Sequence, residues 1–264
     1  MSLRINTNVG ALNAYNNLNR TSAQMEKSLT KLSSGYRINS AADDAAGLSI
    51  SERMRGQIRG LNQATRNISD GISMVQTAEG NLTEVHSMLQ RVRELAVQYQ
   101  NATVSTSDKT AISSEVTQLT NEIERIGSTA KFNGISLLNN TNSFAFQVGS
   151  DDGQTISVSA ISVGAQVGTI NLSSAGSISA IDAAINNISA ARADFGAVQN
   201  RLEHTFEAQT VYAENLTAAE SRIRDVDMAQ EMVKFTKNQI LTQAAQSMLS
   251  QANQAPQGVL RLLG

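Results

Sequence analysis

Two adjacent carboxylates, Asp43 and Asp44, share the stretch KLSSGYRINSAADDAAGLSISERMRGQIRG, residues 31 to 60, with Arg37, Arg53, Arg55 and Arg59. Neighbouring carboxylates can split their pKa values, so that one donates a proton while the other accepts it. That chemistry needs a nucleophile, a metal or a phosphate-binding loop close by, and none accompanies the pair. Carboxylates among guanidiniums also arise in purely structural networks. The stretch is therefore read as a joint. Ser33-Ser34-Gly35 ends one helix, an irregular connector follows, and the capping box Ser49-Ile-Ser-Glu52 starts the next. Asp43 and Asp44 are expected to cap that helix start and to pair with the arginines.

Other reactive groups are scarce. The 264 residues contain no Cys, which removes thiolate nucleophiles, disulfides and cysteine-type zinc sites. The two histidines, His86 and His204, are far apart and are read as exposed or edge residues rather than metal ligands. Gly56 and Gly60 have the spacing of a membrane dimer motif, but charged neighbours argue against that use. A net charge of −2 offers no general footprint for nucleic acid or anionic membranes. No apolar run reaches membrane-spanning length, and the N-terminus lacks the apolar segment of a secretory signal. No cofactor is expected, and no enzyme activity.

The elements that would position these groups are long helices. The chain has no Trp, 6 Phe, 4 Tyr and one Pro, a poor supply for filling a globular interior or punctuating loops. Met54, Leu61, Ile68, Val75, Leu82, Leu89 and Ala96 recur every seven residues. They predict one helix from about Ser51 to Tyr99, on the order of 70 Å long at 1.5 Å per residue. Ile112, Val116, Leu119, Ile123 and Ile126 predict a second, shorter helix. A third, Ser177 to Ile223, follows from the column Ile181, Ile188, Phe195, Leu202, Leu216 and Ile223. Phe144, Phe146 and Val148, then Ile156 and Val158, alternate around a Gly149–Gly153 turn and predict a β-hairpin between helices. Gly56, Gly60, Gly71 and Gly80 lie within the first long helix, where close packing is expected to offset their cost.

Both ends carry apolar faces of their own. Ile5, Val9, Leu12, Leu18, Met25, Leu29 and Leu32 line the first helix, and Val233, Ile240, Leu241 and Met248 the last. Nothing in the middle of the chain is left to cover them, so these seams call for a partner: each other, or other chains. The pattern is that of an assembling protein. A free coiled-coil adaptor would instead use its seams fully inside a soluble dimer.

Several long strings resemble bacterial flagellin: LRINTNVGALNAYNNLNR from Leu3, the joint itself, QRVRELAVQ from Gln90, FNG from Phe132, FQVG from Phe146, GAVQNRLEH from Gly196, and ENLTAAESRIRDVDMAQEMVKFTKNQIL from Glu214. The likeness spans roughly residues 1 to 150 and 176 to 264 and leaves little room for an inserted outer domain, as in a short flagellin of core domains alone. The resemblance implies a mainly α fold, a long-helix coiled-coil bundle with a small β-hairpin region. The terminal helices would form an inner coiled coil.

Residues 1–40 and 226–264 would be the two halves of that inner domain. Residues 41–225 would be the bundle, with its hairpin near 130–175. The resemblance also implies a subunit exported unfolded by the flagellar type III apparatus, polymerising with itself outside the cell. Hook-associated junction and cap proteins would be partners, and an export chaperone would bind the C-terminal helix. The connector would carry contacts between subunits. Arg91, Leu95 and Glu115 match the surface bound by a host Toll-like receptor, with Arg91 and Leu95 expected off the internal seam. Leu260, Leu262 and Leu263 match the segment read by a cytosolic inflammasome sensor. The alternative is a hook–filament junction protein of the same architecture.

Overall fold

The computed structural model describes residues 7–168, 172 and 176–263, with side chains up to residue 254. The elements run α1 (Val9–Ser34), α2 (Ala45–Tyr99), α3 (Thr106–Thr129), β1 (Lys131–Phe132), β2 (Ile135–Ser136), β3 (Ser143–Gln147), β4 (Thr155–Ser159), α4 (Val163–Val167), α5 (Ser177–Arg224) and α6 (Met228–Leu263). They form two compact units. The first comprises residues 1–56 and 216–264, the second residues 57–215. The terminal unit therefore reaches further into the chain than the expected division at 40/41 and 225/226.

In the second unit the seven-residue column of α2 has become the core. Leu61, Ile68, Val75, Leu82, Leu89 and Ala96 are all buried, and Ile188, Phe195 and Leu202 of α5 share the main cluster with most of them. A smaller cluster joins Val92, Leu95 and Ala96 to Ile112 and Val116 of α3 and Ile181 of α5. Antiparallel β3 and β4 pair Phe144 with Val158 and Phe146 with Ile156. Their apolar side chains belong to the main cluster.

Of Gly56, Gly60, Gly71 and Gly80 in α2, two show the expected close packing. A Cβ at Gly60 would meet Ser150 at 3.0 Å, and one at Gly71 would meet the Phe146 ring at 3.3 Å, whereas Gly56 and Gly80 face open space. A second hairpin, β1 with β2, was not foreseen. Asn133 (φ 48°) and Gly134 (φ 80°) form its two-residue turn, the geometry that favours Asn-Gly between strands.

In the first unit α1 and α6 pack against each other. Asn8 caps α1 by accepting from the Ala11 amide at 3.0 Å. Gly35, at φ 75°, ends it in the left-handed conformation. The start of α2 differs from the expected capping box. The helix begins at Ala45, because the Gly47 amide donates to Asp44 Oδ1 at 2.9 Å, which sets the cap five residues before Ser49. Only glycine fits at 47, since a Cβ would lie 2.4 Å from Asp44 Oδ2 and 2.7 Å from Ile38 Cδ1. Ser49 is simply helical, and Glu52 is free to bind elsewhere.

Candidate functional site

All of the joint but Arg59 lies within the first unit, where residues 35–55 meet residues 223–226. Its centre is a backbone bridge between Tyr36 and Asp225. The Arg37 amide donates to the Arg224 carbonyl at 2.6 Å, and the Val226 amide donates to the Gly35 carbonyl at 3.0 Å. The Arg37 guanidinium also donates to the Ile223 carbonyl, capping the end of α5. Arg224 itself donates from Nη1 to Glu52 Oε1 at 2.8 Å, and its guanidinium lies 4.7 Å from the centre of the Tyr36 ring. Its side chain is 13 % exposed, so both interactions are partly shielded from water.

The expected ion pairing of the aspartates is not what holds them. Asp43 Oδ2 accepts from the amides of Asn39 (3.2 Å) and Ser40 (3.0 Å) and from the Ser40 hydroxyl. The backbone bonds from Ser40 and Asn39 hold the Asp43 carboxyl below the usual aspartate range. It is an ionised acceptor, the opposite of a proton donor. Among the described residues neither aspartate pairs with an arginine. Arg55 pairs with Glu52 at 2.9 Å, while Arg53 and Arg59 are exposed, and Arg59 belongs to the second unit. The Glu52 carboxyl is lowered first by its bond from Arg224 and then by Arg55. Sequence reasoning missed Arg224 and Tyr36. An Arg at a helix end and an exposed Tyr carry no local signal of their meeting.

The terminal seams are open. Val9, Leu12, Leu29, Leu241 and Ile240 are exposed, Val233 is 70 % exposed and Met248 is 64 % exposed. Leu18, Met25 and Leu32 are half-buried. Ile5 lies outside the described residues. Leu260, Leu262 and Leu263 fall in α6, where their side chains lie outside the description.

On the second unit, Arg91 donates from Nε and Nη2 to Glu115 Oε1 at 3.1 and 3.0 Å and from Nη1 to Glu94. Glu115 and then Glu94 raise its pKa. These groups form an exposed charged patch across α2 and α3. Leu95 does not belong to that surface: it is 2 % exposed and packs in the smaller cluster. It lies three residues after Val92, on the face that α3 covers, so the expectation that it lies off the internal seam is corrected. His86 is half-buried and His204 exposed. Among the described residues no cluster of His, Cys, Asp or Glu could hold a metal, and no helix is long and apolar enough to cross a membrane.

Residues 5–143 match the family description "Bacterial flagellin N-terminal helical region", and residues 178–263 match "Bacterial flagellin C-terminal helical region". A flagellin of Halalkalibacterium halodurans is 52% identical over 269 residues, covering 98% of this chain and 99% of the relative. A flagellin of Bacillus subtilis is 47% identical over 305 residues, covering 99% and 100%. The crystal structure of Bacillus cereus flagellin superposes with a TM-score of 0.51 at 32% identity, over 59% of this chain and 94% of that one. A putative flagellar hook-associated protein from Vibrio parahaemolyticus gives a TM-score of 0.60 over 69% of this chain and 100% of that one, but at 16% identity, a likeness of fold alone.

Proposed function

The chain belongs to the bacterial flagellin family, and from that premise we propose how its parts serve a filament. It is a structural subunit that polymerises with itself into the extracellular flagellar filament used for swimming. The observation that carries the reading is the open apolar face of α1 and α6. Each such side chain is worth about 1.5–3 kcal/mol when covered. Val233, Ile240 and Met248 are exposed in the single chain and gain this only against other copies.

The α1/α6 pair is the inner coiled coil, with residues 1–40 and 226–264 as its halves. Residues 41–225 form the helical bundle with its β-hairpin. The joint, with Arg37, Asp43, Asp44, Arg53, Arg55 and Arg59, meets a neighbouring subunit through its exposed arginines. The chain leaves the cell unfolded through the flagellar type III apparatus, escorted by a chaperone on the C-terminal helix. Junction and cap proteins bound the filament at its ends. The exposed Arg91–Glu115 patch suits recognition by a host Toll-like receptor, and the terminal leucines suit a cytosolic sensor. The junction-protein alternative draws only on fold-level likeness.

The test is elongation. Purified chain, concentrated and salted, is added to short filament fragments and followed by sedimentation and electron microscopy. Growth of long filaments is expected. A chain that stays monomeric would overturn the reading.

A further inference from the structure

With no Cys in the chain, methionine holds all of its sulfur. The structure sorts those side chains by their access to water. Met74 in the second unit is 6 % exposed, and Met88 packs half-buried against the same core. Met25 and Met54 are half-buried as well. Met228, Met232 and Met248, all on α6, are 48 %, 48 % and 64 % exposed. These three belong to the open apolar face. Met232 lines one strip of α6 with Val233, Ile240 and Leu241. Met228 stands one turn before Met232. Met248 follows Leu241 by seven residues, which returns it to nearly the same side of the helix.

A thioether open to water reacts directly with a hydroperoxide. A sulfur lone pair attacks one oxygen of hydrogen peroxide, an S–O bond forms and the O–O bond breaks. The departing hydroxide takes the proton of the transferred oxygen and leaves as water. Sulfur loses two electrons and the peroxide gains them. The product, a sulfoxide, is polar where the thioether was apolar. Covering it without a hydrogen-bond donor is unfavourable, and the side chains of Val233, Ile240 and Leu241 supply none.

We propose that Met228, Met232 and Met248 form an oxidation site that governs assembly. A hydroperoxide converts them to sulfoxides in the free chain, and the oxidised chain no longer joins other copies. Within a filament the same sulfurs are covered and stay reduced. Their access to peroxide does not require α6 to rest on α1, since separating the two helices only exposes them further. The order of oxidation stands on the single chain; its consequence for assembly rests on the filament reading.

Dissolved chain and preformed filament fragments are each treated with graded hydrogen peroxide, quenched and mapped by peptide mass spectrometry, each sulfoxide adding about 16 Da. In the dissolved chain Met228, Met232 and Met248 oxidise before Met74, whereas in the fragments they resist. Treated chain added to untreated fragments elongates at least roughly ten-fold more slowly than untreated chain, while the melt of the second unit is unchanged. Methionine sulfoxide reductase restores growth, because this oxidation is reversible. A triple variant, Met228→Leu, Met232→Leu and Met248→Leu, conserves volume and elongates with or without peroxide. Normal growth of chain carrying the three sulfoxides would overturn the proposal, as would equal loss of growth in the treated variant. If the variant does not assemble even untreated, the reductase arm decides: growth still lost after the three sulfoxides are reduced refutes the site. Untreated parent chain that fails to grow would instead sink the filament reading and the assembly half with it. The order of oxidation is then judged by mass alone, and Met74 reacting as fast as Met232 overturns it.

Discussion

Arg224 Nη1 meets Glu52 Oε1 at 2.8 Å although 172 residues of chain separate them. Through this contact the last turn of α5 holds the first turns of α2, while the Tyr36 ring lies against the same guanidinium. The two connectors of the terminal unit are thereby tied at one point. Arg224 also carries the carbonyl that receives the Arg37 amide.

Arg224→Ala should loosen this tie locally. The amides of Arg37 and Val226, both bonded across the bridge, are expected to exchange at least roughly ten-fold faster, as for a local opening made easier. Amides around Leu82 and Leu89 in the second unit should keep their rates. Hydrogen exchange read by mass spectrometry checks both. Unchanged exchange at Arg37 and Val226 would show the backbone bridge to be self-sufficient.

Arg91→Ala and Leu95→Ala should separate cleanly. Arg91 is exposed and its ion pairs are open to solvent, so its loss should leave Tm nearly unchanged. Leu95 fills the smaller cluster, and truncation should cost about 2–5 kcal/mol. Receptor signalling should fall for Arg91→Ala with the fold intact. Thermal melts beside a signalling assay check this, and equal Tm losses would contradict the burial of Leu95.

Acid should weaken the α1/α6 pair through Glu231. Burial pushes this carboxyl up, but the Ser28 and Lys234 bonds and the charges of Lys234 and Lys31 outweigh it, and the group lies below the ordinary value of 4.5. A depressed folded pKa contributes stability that is full above the unfolded value and is lost as pH falls through the folded one. Lys27 and Lys31 on α1 and Lys234 and Lys237 on α6 line the same groove. Exchange protection in α1 should therefore hold at neutral pH and decline below about pH 4.5. In Glu231→Gln that component should be absent. A parent and variant with the same acid profile would assign the loss to other carboxyls.

Removing residues from Ile240 onward should spare the second unit. Its core is formed by residues between Leu61 and Leu202 and, among the described residues, includes none of α6. The cooperative melt of that unit should persist, while assembly fails at any practical concentration. Losing several seam residues, each worth about 1.5–3 kcal/mol, exceeds the margin of a reversible polymer. Sedimentation and electron microscopy beside a thermal melt decide it. Filaments from the shortened chain would show the end of α6 to be dispensable.

What the sequence determined by itself is the periodic part of the molecule. The column from Leu61 to Ala96, the column from Ile181 to Leu202 and the alternation around Phe144 and Val158 each became buried faces. A repeat in the chain already says which side chains share one side of a helix or strand. The absence of Cys and the open terminal seams were legible for the same reason, since composition and spacing are properties of the chain alone.

Tertiary structure decided everything that depends on two distant residues meeting. Arg224 on Glu52 and Tyr36 and the covering of Leu95 by α3 leave no periodic trace, because each needs two elements docked in one register. The start of α2 belongs here as well. Asp44 and Ser49 are both good helix caps, and local preference cannot choose between them. The chain begins its helix at Ala45 because Gly47 lets Asp44 and Ile38 close in on the first turn, a fit that only the folded connector supplies.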